Sequence, residues 1–285
     1  PKEVLKTTRG NRIGVSTYSF WGFEGPRTPI EFCIDKAAEM GFDGVEILHR
    51  QMKNESNGYM QDLKRRAFRL GLDLCGFSIH QDFVSPDAES RQKNVEHTLK
   101  CIELAYAMGI QSLRLNTGRW GTIPSFDDLM QARGVEPRIE GYSDQDAIDW
   151  CVESIEKCIP HAERCGVVMG LENHWGISLN VDHMLAILEA VDSPWLKATA
   201  DTGNFLEDPY DRLARLAPHT VLIQAKTYFG KGRWYSLDLD YARIARIFRE
   251  AGFAGYVSLE YESDHEPREG IQRSLVLLRE HFGRG

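Results

Sequence analysis

The sequence lacks several features that would each assign it to a whole class of proteins. No apolar run approaches the roughly 18 residues that a membrane-spanning helix needs. The segment Pro1–Asn11 is polar and carries no apolar region of the kind found in a leader peptide. The formal net charge of −8 leaves no excess of positive charge for a nucleic-acid partner. We therefore expect a cytoplasmic protein that binds neither membranes nor nucleic acid.

No two of the six cysteines form a CxxC pair. Most of the six lie inside apolar segments that resemble helices or strands. They are Cys33, Cys75, Cys101, Cys151, Cys158 and Cys165. Cysteines in such segments are usually reduced, buried thiols of a cytosolic protein. We therefore do not expect a cysteine-ligated metal.

The sequence does contain a regular alternation of strand-like and helix-like segments. The predicted strands are 13–19, 44–48, 72–78, 111–115, 167–171, 196–200, 220–224 and 255–259. Five times, an apolar helix end is followed by a glycine and then by a strand, at Gly41, Gly71, Gly109, Gly166 and Gly252. Glycine at this position provides a left-handed cap that turns the chain out of the helix.

Eight strand–helix units predict parallel strands joined by right-handed crossovers. The 285 residues suit one α/β domain, a (β/α)8 TIM barrel over residues 1–285, because such barrels typically need about 250 residues. An open, doubly wound sheet is the alternative. One irregular insertion, 117–141, leaves the carboxyl end of strand four, and its length and position predict a lid.

Polar side chains follow four consecutive strands, at the rim where a (β/α)8 barrel carries its chemistry. They are Glu172, Asp201, Gln224 and Glu260. Each acid alone could be a helix cap or a solvated group, but three carboxylates at one barrel mouth would repel one another unless a cation lay between them. An amide oxygen completes an all-oxygen set, which suits Mg²⁺ or Mn²⁺. The joint pattern therefore predicts one divalent metal ion.

These strand ends resemble those of the xylose-isomerase-like TIM barrels. The resemblance is carried by Leu-Glu-Asn-His at 171–174, Ala-Asp-Thr-Gly at 200–203, Gln-Ala-Lys at 224–226 and Ser-Leu-Glu at 258–260. It extends from Ile13 to the last predicted helix. The superfamily includes sugar phosphate isomerases and epimerases, ketose 3-epimerases, hydroxypyruvate isomerase and inosose dehydratase. The resemblance implies that the metal ligands are Glu172, Asp201, Gln224 and Glu260.

Two positions depart from the pattern of the superfamily. Many epimerases have histidine where this chain has Gln224, and glutamine there is similar to hydroxypyruvate isomerase. Many members also have histidine where this chain has Asn204, three residues after the aspartate of strand six. Endonuclease IV, another member, uses a histidine-rich set for three zinc ions, and this chain lacks that set. We therefore do not expect DNA repair.

Further polar residues near the strand ends are candidates to contact a small substrate. They are His49, His80, Asn116, His174 and Lys226. Each histidine could instead make a structural hydrogen bond. Lys226 could neutralise a developing oxyanion or pair with a carboxylate.

Other residues near this rim allow several interpretations. Glu46 could orient a ligand or form a structural salt bridge. The glycine-rich segment 229–234 could receive a phosphate through its backbone or be a flexible loop. The remaining histidines lie on predicted helices or outer loops, where we expect them to be solvated: His97, His161, His183, His219 and His265.

The resemblance and the strand-end residues together predict a metal-dependent isomerase or epimerase of a small ketose or hydroxy-carbonyl sugar. A proton would leave the carbon next to a metal-bound carbonyl, and the resulting enediolate would be reprotonated. Glu172 and Glu260 are the candidate base and acid. Loss of a β-substituent would instead give a lyase or dehydratase acting on a keto-sugar or keto-inositol. A barrel that binds a sugar or a partner protein without turnover is a third reading, and a homo-oligomer stays open.

Overall fold

The computed structural model describes residues 10–264 and 266–283, so His265 and most of the Pro1–Asn11 segment lie outside the described residues. Within them, eight parallel strands follow one another around a closed barrel in chain order. The strands are Ile13–Ser16 (β1), Gly44–Leu48 (β2), Asp73–Ser78 (β3), Ser112–Leu115 (β4), Val168–Glu172 (β5), Leu196–Asp201 (β6), Thr220–Thr227 (β7) and Tyr256–Tyr261 (β8). The predicted (β/α)8 barrel is confirmed, and the open doubly wound sheet is excluded.

Helices surround the strand ring. They are Ile30–Met40 (α1), Asn57–Arg69 (α2), Ala88–Met108 (α3), Phe126–Gln131 (α4), Asp144–Cys165 (α5), Val181–Val191 (α6), Pro209–Leu216 (α7), Tyr241–Glu250 (α8) and Pro267–Phe282 (α9). Side-chain caps define where several of these helices begin. The Ser56 hydroxyl accepts from the Tyr59 amide, and this cap explains why α2 begins at Asn57. Ser143 and Asp146 form a capping box at the start of α5.

The five glycines predicted to end helices all lie in the left-handed region. Their φ angles run from 66° at Gly166 to 89° at Gly41. At Gly41, the backbone N–H donates to the carbonyls of Ala37 and Ala38 and so satisfies the last turn of α1. The repeated helix–glycine–strand junction of the sequence is therefore a repeated structural junction on one rim of the barrel.

Two strand ends differ from the predicted bounds in ways that affect the mouth of the barrel. The predicted first strand continues to Ser19, but the chain leaves β1 after Ser16 and forms a 3₁₀ turn over Thr17–Phe20. β7 instead runs on to Thr227, so that Lys226 is part of the sheet. The 3₁₀ turn brings Tyr18 to the mouth, where its hydroxyl donates to Glu262 at 2.9 Å.

The insertion 117–141 is partly helical, because it contains α4. Leu129 and Met130 of α4 pack on Trp175 as a small apolar cluster separate from the main core. Trp234 donates its ring N–H to Asp127 at 2.9 Å, which joins the glycine-rich segment 229–234 to the insertion. The insertion therefore lies against two other loops of the barrel mouth. Its movement as a lid stays a prediction.

Two expectations from composition are tested by the described residues. None of the helices among them is long and apolar enough to cross a membrane. All six cysteines are free thiols, and four of them are buried: Cys33, Cys101, Cys151 and Cys158.

Candidate metal and substrate site

Strand register brings the predicted ligands to one level of the barrel. Asp201 on β6 pairs with Gln224 on β7, and Lys226 on β7 pairs with Glu260 on β8. Because successive side chains alternate between the two faces of a strand, Gln224 and Lys226 both point into the barrel. Glu172 ends β5, next along the ring. All five side chains are buried.

Lys226 joins two of the carboxylates. Its Nζ lies 3.0 Å from Oδ2 of Asp201 and 3.2 Å from Oε2 of Glu260. The second oxygen of Asp201 accepts from the backbone N–H of Gly203 at 2.7 Å. Of the two roles considered for Lys226, pairing with a carboxylate is the one that this arrangement displays.

Glu172 is held by donors from two neighbouring strands. Its Oε2 accepts from the Asn116 amide at 2.9 Å, and its Oε1 accepts from the Asn204 amide at 3.3 Å. Arg114 of β4 forms an ion pair with it, with Nε 3.2 Å from Oε2. Arg114 also donates to Asn116 Oδ1 at 2.7 Å, so that both polar residues are fixed together.

The sequence interpretation missed Arg114, although a signal was present. An arginine inside the otherwise apolar run Ser-Leu-Arg-Leu at 112–115 must find a buried anion or leave a charge unpaired. Glu172 is that anion.

Gln224 is oriented by Glu46. The amide nitrogen of Gln224 donates to Glu46 Oε1 at 2.8 Å, and the Ser78 hydroxyl donates to the same oxygen. The amide oxygen of Gln224 is left buried without a hydrogen-bond partner. An orphaned buried oxygen is costly unless something binds it. Glu46 thus fixes the Gln224 amide and leaves its oxygen without a hydrogen-bond partner, and its role in orienting a metal ligand stays a prediction.

The charges of the described barrel mouth suit a divalent cation. Four buried acids face two buried bases; the acids are Glu46, Glu172, Asp201 and Glu260, and the bases are Arg114 and Lys226. Full ionisation would leave two uncompensated negative charges. Burial is the main cause that raises the pKa of Glu172 to about 8 and that of Asp201 to about 7. A bound divalent cation would neutralise the excess and let these carboxyls ionise.

The carboxylates are not drawn together to metal-ligand spacing. Among the described residues, three His, Cys, Asp or Glu ligand atoms come within 4.8 Å of one another only at His49, His97 and Cys101. Around Asp201 and Glu260, the Lys226 ammonium lies between the two carboxylates instead. The donor set at the mouth therefore fits a hard divalent cation in charge and chemistry, and closing on it would need side-chain movement.

Two histidines at the mouth are neutral. Burial lowers the pKa of His80 and of His174 well below the usual value, and the nearby Arg114 guanidinium lowers both further. Nδ1 of His80 is buried without a hydrogen-bond partner. A neutral imidazole can both donate and accept a hydrogen bond, which suits contact with a hydroxylated ligand.

His49 lies elsewhere. Its ring packs on Phe77 at 5.5 Å between centroids, and its Nε2 lies 2.8 Å from Glu55 Oε1. The His97 ring lies against the His49 ring, with 5.4 Å between the centroids, and His97 is half-buried. The expectation that His97 is solvated is wrong, because α3 packs this residue towards β2. Of the other histidines expected to be solvated, His219 is exposed, whereas His161 and His183 are half-buried.

A cavity of about 310 Å³ opens at the mouth between the loops that follow β1, β7 and β8. Its lining includes Tyr18, Trp21, Trp234 and Glu262. A larger groove of about 690 Å³ runs beside α4 and α6 and touches the mouth at Asn204. The smaller cavity has the size and the aromatic walls of a site for a small ligand, but none of the four predicted metal ligands lines it.

The metal-free protein should lose stability as pH rises from about 4 to 8. Folding raises the pKa of Asp201 from 3.8 to about 7 and that of Glu172 from 4.5 to about 8. The folded chain therefore holds more protons than the unfolded chain in this window, and each rise in pH lowers the free energy of unfolding. Thermal melts after chelation, taken across this range, check the slope.

Added Mn²⁺ should raise the melting temperature more at pH 8 than at pH 5, because it competes with protons for the same oxygens. Asp201→Asn should flatten the profile below pH 7, where Asp201 titrates. A profile of the wild-type protein that is flat or rises with pH would contradict this reading of the site.

Comparison with known proteins identifies a matching family model and a similar protein. A family model described as "Xylose isomerase-like TIM barrel" matches residues 34–281. The 3-oxo-isoapionate decarboxylase of Pectobacterium atrosepticum is 21% identical over 95% of this chain and 85% of its own length.

Solved structures share the fold at low identity. A D-psicose 3-epimerase from Clostridium cellulolyticum H10, solved with D-tagatose, superposes with a TM-score of 0.77 at 17% identity, over 95% of this chain and 99% of that one. A 3-keto-D-glucoside 4-epimerase from E. coli superposes with a TM-score of 0.73 at 17% identity, over the same shares. These likenesses establish the architecture.

Proposed function

Because the chain belongs to the xylose isomerase-like TIM barrel family, we propose that it is a divalent-metal-dependent isomerase or epimerase of a small ketose or hydroxy-carbonyl sugar. The observation that carries the proposal is the buried set at the ends of β5 to β8: Glu172, Asp201, Gln224 and Glu260. The sugar epimerases among the structural neighbours support the same reaction class.

The metal would be held by Glu172, Asp201, Gln224 and Glu260, with Mn²⁺ or Mg²⁺ favoured by their hard oxygen donors. When bound, a divalent cation polarises a carbonyl group and stabilises the negative charge that develops beside it. Glu46 supports this role indirectly, because its hydrogen bond to the Gln224 nitrogen keeps the Gln224 oxygen free.

Glu172 and Glu260 are the proposed proton-transfer residues. One carboxyl removes the proton from the carbon next to the carbonyl, and the other returns a proton to the neighbouring carbon or to the opposite face. Glu172 is locked in place by Asn116 and Arg114, and Glu260 is held by Lys226.

Substrate contacts are proposed for Lys226, His80, His174 and Asn116. Lys226 supplies the positive charge that opposes an oxyanion, and the two neutral imidazoles supply donors and acceptors for hydroxyl groups. The aromatic walls of the 310 Å³ cavity give an apolar surface for the C–H face of a sugar. His49 is not part of this proposal, because it contacts Phe77 and Glu55 instead.

A lyase acting on a keto-sugar is the second candidate. It is favoured by the 3-oxo-isoapionate decarboxylase relative, which aligns with 95% of this chain. It is also favoured by Asn204, which stands where many epimerases have a histidine and which donates to Glu172. Both reactions begin by developing negative charge beside a carbonyl, so the same site serves either.

Incubation of the Mn²⁺-loaded enzyme in D₂O separates the two candidates. D-tagatose, D-fructose and a 3-keto-glucoside form the substrate panel, and products are followed by mass spectrometry and NMR. We expect deuterium at a carbon-bound position in a product of unchanged carbon skeleton. Loss of water or an alcohol would support the lyase. The Asp201→Asn variant serves as the inactive control, and deuterium incorporation at the wild-type rate by that variant would contradict the proposed site.

A further inference from the structure

Three side chains with soft or borderline donors meet between β2 and α3, outside the proposed catalytic site. Cys101 Sγ lies 4.0 Å from His49 Nδ1 and 3.7 Å from His97 Nε2. One ligand atom from each residue lies within 4.8 Å of the other two. His97 and Cys101 are four residues apart on α3, so the helix presents both on one face towards His49.

The spacing matches one face of a zinc coordination sphere. Zinc binds cysteine sulfur at about 2.3 Å and histidine nitrogen at about 2.0–2.1 Å, which for tetrahedral angles separates sulfur from nitrogen by about 3.6 Å. The observed separations of 3.7 and 4.0 Å are close to this value. An ion could therefore be accommodated by small side-chain adjustments, without moving β2 or α3.

His49 has an outer partner that fixes its ring. His49 Nε2 lies 2.8 Å from Glu55 Oε1, and Glu55 is itself paired with Lys100. The ring of His97 packs against the ring of His49, with 5.4 Å between the ring centroids. Metal-ligating histidines usually have such a carboxylate or carbonyl on the second ring nitrogen, which sets the tautomer and aims the first nitrogen at the ion.

We propose that His49, His97 and Cys101 form a second metal site, which takes zinc and leaves its fourth position to water. Its sulfur and imidazole donors differ from the oxygen donors of the barrel mouth, so the two sites select different ions. The ion would fasten α3 to the end of β2. This inference does not depend on the proposed function.

Cobalt substitution tests the site through a signal that oxygen ligands do not give. The full chain is stripped with chelator and titrated with Co²⁺, with absorption recorded in the near-ultraviolet and visible ranges. We expect a thiolate-to-cobalt charge-transfer band together with the visible bands of tetrahedral Co²⁺, both lost on adding Zn²⁺. Cys101→Ser should abolish the charge-transfer band. Glu55→Gln should weaken cobalt binding about 10–100-fold, as expected for an outer partner.

Two matched variants make the result specific. Cys158→Ser removes another buried thiol, on α5, and should leave the band unchanged. Asp201→Asn alters the barrel mouth and should also leave it unchanged, which separates this site from the proposed catalytic metal. If Cys101→Ser does not fold, His97→Gln should lose the band in its place. Absence of the band in the wild-type chain, or its persistence in Cys101→Ser or His97→Gln, would overturn the proposal.

Discussion

Replacing Glu260 by glutamine should lower kcat by roughly 10²–10⁴-fold, the usual contribution of a positioned acid or base. Glutamine nearly matches glutamate in shape, and its amide oxygen can still accept from Lys226, which lies 3.2 Å from Glu260. The substituted side chain cannot take up a proton at neutral pH. Steady-state kinetics with the substrate identified in D₂O, together with circular dichroism, would show lost turnover in a folded protein.

Two further variants frame this result. Glu250→Gln changes an exposed glutamate at the end of α8 and should keep wild-type kcat. Glu172→Gln should also lose turnover, but it should lower the melting temperature as well, because Arg114 would lose its buried partner. Wild-type kcat in Glu260→Gln would remove this residue from the acid–base pair.

Arg114→Met should destabilise the protein by about 3–5 kcal/mol, the typical cost of breaking a buried ion pair from one side. Methionine fills much of the same volume but leaves Glu172 buried without its cation. The loss should be largest above the Glu172 pKa of about 8, where this carboxyl is ionised. Urea unfolding of the metal-free variant and wild type at that pH gives the difference.

The double variant Arg114→Met/Glu172→Gln tests whether the cost comes from the stranded charge. With both charges gone, the free energy of unfolding should recover part of the loss, as a coupled pair requires. Additive losses in the double variant would mean that Arg114 stabilises the barrel through packing or its bond to the Ile79 carbonyl instead.

The sequence predicts the barrel well, because its signals are local and repeated. A glycine such as Gly41 ends a helix through backbone conformation alone, which needs no knowledge of the rest of the chain. The common rim of the candidate residues also follows from sequence, since the carboxyl ends of parallel strands meet there. Glu172 and Asp201 are therefore found from the strand pattern before any coordinates are known.

Contacts within the site are less predictable, because they depend on which way each side chain turns. His49 and His80 both follow strands, yet His49 packs outward on Phe77 while His80 lies at the mouth. Side chains alternate between the two faces of a strand, but this rule does not fix the direction of a side chain that follows the strand. Arg114 and Glu172 lie on two strands that are far apart in sequence, and no periodic pattern in the sequence predicts that they pair.

The left-handed glycine caps lie on one rim of the barrel, and the candidate site lies on the other. On the rim where helices turn into strands, a single left-handed glycine at each of five junctions sets the path of the chain. The opposite rim carries the long connections, including 117–141 and 229–234, whose lengths are not tied to that path. These connections can therefore change in length and sequence while the barrel beneath them keeps its path.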